Sequence, residues 1–415
     1  MVLWLLGFLF FAMTFPPRFF KLMNFGYGYL DLGLYSQYFF NLSKGFFDPY
    51  IPTFGQTFFF LRPEPLLLLF WPISFITIHP ALMLFVDEAC VIIAAAVCAN
   101  FCWRKTQESS LSIAVFVAVL ISPLYMDSLH GAASVEILSQ PFLALLFTEY
   151  FSRRRPLQMT LWFGLLCLLN LNFYILAALL VPLTLFTQRK RWNLERRARV
   201  AVPVLIVGIV AATIYNHMNG EVHFDLSFFW PRHNVDLTKW FFCFWFVPFV
   251  VPDVLLISIF LLLLTINGTS SYASLIVVLG VLSPIIALER FKVPKSLVHQ
   301  ILSAGLIASC LFYNLTSQDP FFRFWDKERW AISEDNQKVH ELMAKIQLTD
   351  KIAVSDIYTP LLANHLSMKT LASVNFSLKD VPDVILTHGE KFNDFRYREI
   401  DGNLRTGARL LVKTK

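Results

Sequence analysis

A polar segment near the amino terminus carries residue types that suit a group-transfer reaction. The segment Leu30-Asp31-Leu32-Gly33-Leu34-Tyr35-Ser36-Gln37 follows the first hydrophobic run of the chain. A carboxylate beside aromatic side chains at a membrane surface can act as a general base for an acceptor hydroxyl. On spacing alone, a helix-capping acid and an interfacial belt of tyrosines explain the same residues better. Asp31 is therefore a candidate base, and Gln37 is a candidate substrate-binding residue.

A cation and an anion stand close together at the start of the next hydrophobic stretch. Arg62 and Glu64 flank a proline there. A guanidinium is well suited to hold a phosphate, and the glutamate offers a second carboxylate near the first. An ordinary interfacial ion pair accounts for the two residues equally well. Both interpretations stay open, and both residues are candidates for substrate binding.

Two later polar loops combine carboxylates with imidazoles. Asp127, His130 and Glu136 share one loop, and His223 and Asp225 share another. Such groups can converge on a divalent cation such as Mg²⁺ or Mn²⁺. None of these residues has a spacing that is specific for a metal, so the cofactor stays undetermined. Glu136 is a second candidate catalytic residue, and His130 is a candidate for substrate binding.

Two further acids lie within a hydrophobic run. Asp87 and Glu88 fall inside Ala81–Trp103, where an ionised carboxylate costs about 2.5–3.5 kcal/mol. Intramembrane acids are functional candidates for that reason. A position in the outer third of the bilayer, with snorkelling or pairing to Arg62, would lower the cost.

The composition requires a bilayer as solvent. Hydrophobic residues make up 56% of the 415 residues and charged residues 15%, with a mean hydropathy of +0.57. The net charge of +6 is concentrated in short clusters beside hydrophobic segments. Such clusters set membrane orientation, so we expect membrane lipids and no nucleic acid as partners. The oligomeric state cannot be read from the sequence.

The hydrophobic runs predict an α-helical polytopic protein with about nine to eleven spans. Basic clusters such as Arg153-Arg154-Arg155 should face the cytoplasm. This arrangement puts Asp31 and Glu136 on the outer side, together with the carboxyl-terminal tail. The run Leu66–Ile78 is too short to span and is expected to be re-entrant or interfacial.

The chain is predicted to divide into a transmembrane domain, residues 1–315 with a large first outer loop at 16–65, and an extracytoplasmic α/β domain at 316–415. In the tail, Ser333 should begin a helix that runs to about Ile346. Short apolar runs then alternate with polar segments, which predicts a parallel or mixed sheet. The expected strands are Lys351–Ser355, Thr370–Val374, Val384–Leu386 and Arg409–Val412. No glycine-rich phosphate loop supports nucleotide binding.

Several stretches resemble the predicted membrane protein family of domain of unknown function 2079, which is grouped with the C-type (GT-C) lipid-linked-sugar glycosyltransferases. The segment around Asp31 resembles the family's Phe-Asp-Leu-Gly-Ile-Phe-Asp-Gln motif, and Ser134 to Pro141 is similar to its His-Pro-Glu-Ala-Leu-Ala-Leu-Pro motif. The segments Leu168 to Leu180 and Val339 to Val374 are similar to two further stretches of the family. Ser134 replaces the motif histidine, whereas Asp31 and Glu136 are retained.

The resemblance implies a GT-C-like fold and transfer of a hexose or pentose from a polyprenyl-phosphate-linked sugar donor at the outer face of the cytoplasmic membrane, in a cell-envelope pathway. It also implies that an aspartate of the first outer loop, here Asp31, is the base. Two alternatives stay open. The missing motif histidine favours a non-catalytic scaffold of envelope polysaccharide assembly, and broken helices with intramembrane acids favour a lipid or solute transporter.

Overall fold

A computed structural model shows a mostly helical protein with a small carboxyl-terminal sheet, as the sequence predicts. The structure describes residues 2–28, 32–51, 53–62, 64–122, 125–126, 129, 135–152, 156–186, 194–219, scattered positions in 277–288, 295–316, 330–347, 350–362, 365, 368–374, 381–390, 394, 396–403 and 405–414. Asp31, His130 and the predicted span Trp240–Leu264 lie outside these residues.

Ten helices of ten or more residues are found in the described part of the chain. They are α1 (Val2–Met23), α2 (Leu34–Ser43), α3 (Ala81–Thr106), α4 (Ser109–Leu120), α5 (Val135–Ser152), α6 (Pro156–Leu169), α7 (Ile175–Phe186), α8 (Leu194–Asn219), α9 (Lys295–Thr316) and α10 (Glu334–Met343).

The chain forms two compact units. Unit 1 contains Met1–Met13, Pro63–Leu66 and Val86–Phe324, and unit 2 contains Thr14–Arg62, Leu67–Phe85 and Trp325–Lys415. Most of the predicted first outer loop therefore belongs to the same unit as the tail. The predicted domain boundary at residue 315 remains a prediction.

The helices of unit 1 pack against one another. Helix α8 packs against both α6 and α7, α5 packs against α6, and α4 packs against α9. Helices α7 and α8 approach closely at Gly208 of α8, where an added Cβ would lie 2.6 Å from the Cβ of Ala177. Between α6 and α7 the helix ends at Leu169, and a 3₁₀ turn over Leu171–Tyr174 follows. The sequence favours such a break, because Asn170 and Asn172 are typical of the polar turn of a hairpin.

Three described helices are long and apolar enough to cross a membrane. They are Val2–Met23, Ala81–Thr106 and Arg197–Ile214 within α8. Helix α1 continues through Pro16 and Pro17, eight residues beyond the predicted first span. The apolar helical segment Pro65–Ser74 has only ten residues, so it falls short of a span as expected. The total of nine to eleven spans stays a prediction.

The tail in unit 2 holds a five-stranded mixed sheet. Its strands are β3 (Ile352–Val354), β4 (Lys369–Thr370), β5 (Val384–His388), β6 (Tyr397–Asn403) and β7 (Ala408–Lys413), in the order β4-β3-β5-β7-β6. Strand β3 runs parallel to β4 and β5, and β7 is antiparallel to β5 and β6. The mixed sheet confirms the α/β prediction. The expected strand Thr370–Val374 is wrong beyond Thr370, because a 3₁₀ turn begins at Leu371.

The elements of unit 2 that lie in the predicted first outer loop are short and rich in aromatic residues. Helix α2 is followed by the hairpin of β1 (Tyr50–Ile51) and β2 (Gln56–Thr57) and by a helical turn at Phe58–Leu61. The turn of the hairpin requires Gly55, whose φ is +67°. The helical segment Trp71–Ser74 packs against α2. These elements enclose α2, which carries part of the predicted site.

Candidate functional site

Helix α2 begins directly after the segment that contains Asp31. The carbonyl oxygen of Gly28 accepts the amide hydrogens of Leu32 and Gly33, at 3.2 and 3.4 Å. Helix α2 then runs from Leu34. The backbone is thus fixed by hydrogen bonds immediately after Asp31, although Asp31 itself lies outside the described residues.

The predicted substrate-binding residue Gln37 is completely buried on α2. Its backbone carbonyl oxygen accepts a hydrogen bond of 2.8 Å from the side-chain nitrogen of Asn41. Around it, Tyr35 and Tyr38 are also buried, and the Tyr38 ring stacks on Phe58 with 4.0 Å between centroids. Aromatic pairs of this kind stabilise by about 0.5–1.5 kcal/mol beyond their buried area. Helix α2 is therefore a rigid support for the residues that precede it.

Arg62 lies against the same helix. Its guanidinium carbon is 5.9 Å from the ring centroid of Tyr35, and its amide donates to the carbonyl oxygen of Phe58 at 2.7 Å. The side chain is half-buried, so part of it remains accessible. A guanidinium carries planar N–H donors of the kind that bind a phosphate, and an adjacent aromatic ring can orient it. The structure thus brings Arg62 and the helix of Gln37 together.

The two predicted glutamates belong to unit 1. Glu64 is completely buried. The ion-pair and the substrate-binding interpretations of Glu64 both remain predictions. Glu136 is the second residue of α5, and its side chain lies outside the described part. The roles of Glu64, Glu136 and His130 remain predictions.

Two intramembrane acids and one cation are also buried. Asp87 and Glu88 have no exposed surface, so both carboxylates are packed within the protein. Arg18 of α1 is only 1% exposed, and its Nη1 donates to the carbonyl oxygen of Leu84 at 3.3 Å. Arg18 was not among the residues predicted from the sequence. A single cation inside a hydrophobic helix is a functional candidate, and that feature could have identified Arg18.

A histidine near the start of α3 is held neutral. The Nδ1 atom of His79 accepts the amide of Ala81 at 3.1 Å, and its ring stacks on Phe19. Burial lowers the pKa of His79, which adds to the preference for the neutral ring. His79 therefore acts as a helix cap here, and it supplies no cation for a phosphate.

The structure does not assemble a metal site among the residues it describes. Over the described ranges, no group of three His, Cys, Asp or Glu side chains is close enough to hold an ion. The loop acids Asp127 and Asp225 and the histidines beside them lie outside those ranges. A divalent cation such as Mg²⁺ or Mn²⁺ at these loops therefore remains a prediction.

Comparison with solved structures identifies the architecture. The chain superposes on ArnT from Cupriavidus metallidurans, solved bound to undecaprenyl phosphate, with a TM-score of 0.59 and 11% identity, over 99% of this chain and 97% of ArnT. It also superposes on the archaeal oligosaccharyltransferase AglB from Archaeoglobus fulgidus, solved with an inhibitory peptide and a dolichol-phosphate. That match has a TM-score of 0.52 and 10% identity, over 93% of this chain and 70% of AglB.

These likenesses define the class of fold. Both solved proteins have the fold of the C-type membrane glycosyltransferases, and the present chain shares it along nearly its whole length. No protein-family model matches the chain, and no curated protein is detectably similar in sequence. The chain is thus a membrane protein with a GT-C-like fold.

Proposed function

We propose that the chain is an integral-membrane glycosyltransferase that uses a polyprenyl-phosphate-linked sugar as donor. The likeness to ArnT and AglB supports this proposal, because both were solved with a polyisoprenoid phosphate. The likeness to ArnT covers almost the entire chain, which makes it the observation that carries the proposal. The resemblance to the family of domain of unknown function 2079 belongs to the same proposal, as does the outer face of the cytoplasmic membrane as the site of reaction.

The proposed reaction is a single displacement at the anomeric carbon. The acceptor hydroxyl oxygen attacks that carbon, and the bond from the carbon to the lipid phosphate oxygen breaks. The hydroxyl proton moves to the Asp31 carboxylate, and the lipid phosphate leaves with the bonding electron pair. The anomeric configuration is inverted. General-base catalysis of this kind contributes about 10²- to 10⁴-fold to the rate.

Positively charged and polar groups of the first outer loop would bind the donor. In this proposal Arg62 holds the phosphate, where developing charge on the leaving oxygen is stabilised by its N–H donors. Gln37 and His130 contact the substrates, and Glu64 or Glu136 orients the acceptor. The position of Arg62 against α2, the helix that follows Asp31, supports a shared role for this loop.

The proposal is tested first by the lipids that remain bound to the purified protein. Mass spectrometry should detect a polyprenyl-linked sugar with the wild-type protein, and more of it with Asp31→Asn, which binds the donor and cannot activate the acceptor. Asp48→Asn is the matched control, because Asp48 is an exposed acid of the same loop that accepts the amide of Phe59. Its lipid content should equal that of the wild type.

Other outcomes would select the alternatives. Bulk phospholipid alone in all three proteins would favour the non-catalytic scaffold. Uptake of an intact lipid or solute into sealed vesicles, without cleavage of a bond, would instead identify a transporter.

A further inference from the structure

The end of α1 forms a turn that a phenylalanine adopts against its intrinsic preference. The amide of Gly26 donates to the carbonyl oxygen of Lys21 at 2.8 Å, and that of Phe25 donates to Leu22 at 3.0 Å. This pair of hydrogen bonds defines a Schellman turn, whose left-handed position is usually glycine. Here Phe25 occupies that position with φ +60°. This conformation is sterically unfavourable for a residue that has a Cβ.

Tail residues hold Phe25 in that conformation. The Phe25 ring is 7% exposed and stacks on His340 of α10, with 4.9 Å between centroids and planes 29° apart. It also meets Tyr358 edge-on at 4.9 Å. Tyr358 lies in the 3₁₀ turn that follows β3, where burial and the charge of Glu390 raise its pKa, so the phenol stays neutral. Both of these rings belong to the tail.

The neighbouring residues add polar contacts. The Asn24 side-chain oxygen accepts the Ser333 amide at 3.1 Å and the Asn336 side-chain nitrogen at 3.0 Å. Ser333 is the N-cap of α10. The Asn24 side-chain nitrogen also donates to the carbonyl oxygen of Ala331 at 2.8 Å.

A fourth polar contact joins α10 to the same turn. The Nε2 atom of His340 lies 2.8 Å from the carbonyl oxygen of Met23. Because a carbonyl oxygen can only accept, Nε2 must carry the hydrogen. Helix α10 is thus docked on the end of α1 by side chains at both its first and its last turn.

The three residues that follow Phe25 also make close contacts. Tyr27 is 3% exposed, and the Lys21 ammonium lies 4.5 Å from its ring centroid. An added Cβ at Gly26 would lie 2.5 Å from Cγ of Lys21, so this position requires glycine. Gly28 then accepts the first amides that lead into α2. Each residue from Asn24 to Gly28 thus contacts a tail residue, Lys21 or the two residues that precede α2.

We propose that Asn24 and Phe25 are positioning residues, through which the tail sets the path of the chain into the segment that contains Asp31. This inference rests on the proposed function only for the role of Asp31. If the tail contacts are lost, Phe25 relaxes toward an ordinary backbone conformation and redirects the residues that follow. The tail is thereby a structural requirement for the loop that carries the candidate base.

Hydrogen–deuterium exchange of the full chain in lipid nanodiscs tests the positioning directly. Phe25→Ala and Tyr358→Ala should speed exchange in peptides spanning residues 26–43 by about 5- to 30-fold. Tyr358→Phe retains the ring against Phe25 and should leave exchange unchanged. Phe46→Ala is a second control, since Phe46 is 55% exposed elsewhere in the loop. If Phe25→Ala fails to fold, Tyr358→Ala carries the test, because it removes a ring that contacts Phe25 and leaves Phe25 in place.

A conservative rescue separates positioning from general loss of stability. His340→Gln retains a side-chain N–H for the Met23 carbonyl but lacks the ring that stacks on Phe25, so it should preserve part of the loop protection, whereas His340→Ala should lose more of it. In a transfer assay, kcat should fall about 5- to 30-fold in the variants that lose protection from exchange, and their KM for the lipid-linked donor should stay the same.

The outcomes distinguish this inference from the proposed function. Unchanged exchange in Phe25→Ala and Tyr358→Ala would overturn the positioning role, whatever the activity. Altered exchange in a protein that shows no transfer in any form would support the positioning role and contradict the proposed function. Altered exchange with an unchanged kcat would overturn the claim that the tail positions the catalytic segment.

Discussion

Among individual residues, Arg62 is the described side chain to which the proposed function assigns the lipid phosphate. We expect Arg62→Ala to lower the affinity for a polyprenyl phosphate at least about tenfold, because a charge-assisted hydrogen bond contributes about 1.5–3 kcal/mol. Arg62→Lys should recover only part of this affinity, since an ammonium lacks the planar pair of donors. Competition binding with the lipid phosphate in detergent measures both.

Lys44→Ala provides the control for this experiment. Lys44 is an exposed cation of the same loop, and its ammonium lies 5.7 Å from the Phe40 ring centroid. Equal losses of affinity in Lys44→Ala and Arg62→Ala would show that the loop attracts the phosphate only through its general charge, and the specific role of Arg62 would be wrong.

The sequence could identify polar residues but could not determine their burial. It named Arg62 and Glu64 as a pair, yet it could not show that one is half-buried and the other fully buried. It missed Arg18 because the prolines before it suggested that the first helix had ended. Burial depends on contacts between segments distant in sequence, such as Arg18 with Leu84, and local patterns do not contain that information.

At the scale of secondary-structure elements, close packing between α7 and α8 depends on Gly208. We expect Gly208→Ala to destabilise the protein by about 1–3 kcal/mol, because its Cβ would overlap that of Ala177. Thermal unfolding in detergent measures the change. Gly164→Ala in α6 is the matched control, since nothing lies within 4 Å of its added Cβ. Its helix should be stabilised by about 0.5–1 kcal/mol, and a lower melting temperature for both variants would contradict the packing argument.

The elements that local chemistry specifies were the ones predicted correctly. Ser333 caps α10 by accepting the amide of Asn336, and the helix breaks at Asn170 as the polar turn indicates. Strand β6 was missed, because its sequence from Tyr397 to Asn403 is polar and mostly exposed. It forms through hydrogen bonds to β7, and so its pairing is a tertiary effect. The turn at Phe25 was missed for a similar reason, since its conformation depends on the tail.

For the whole molecule, the basic clusters predict that the first outer loop and the tail share the outer side of the membrane. A membrane-impermeant maleimide should label Lys44→Cys and Arg405→Cys in sealed, right-side-out vesicles, and it should not label Arg104→Cys. All three positions are exposed, so differences in labelling report the side of the membrane. The assay uses a background that lacks the six native cysteines. Labelling of Arg104→Cys alone would invert the proposed topology and move Asp31 to the cytoplasm.

A transfer assay tests the proposed function and the assignment of the base together. The most direct measurement is transfer of a radiolabelled sugar from a polyprenyl-phosphate donor by the purified protein in proteoliposomes. We expect wild type and Asp48→Asn to form product, and Asp31→Asn to be slower by about 10²- to 10⁴-fold while remaining folded. A folded Asp31→Asn protein with full transfer would contradict the assignment of the base, and a wild-type protein that cleaves no lipid-linked donor would contradict the proposed glycosyltransferase.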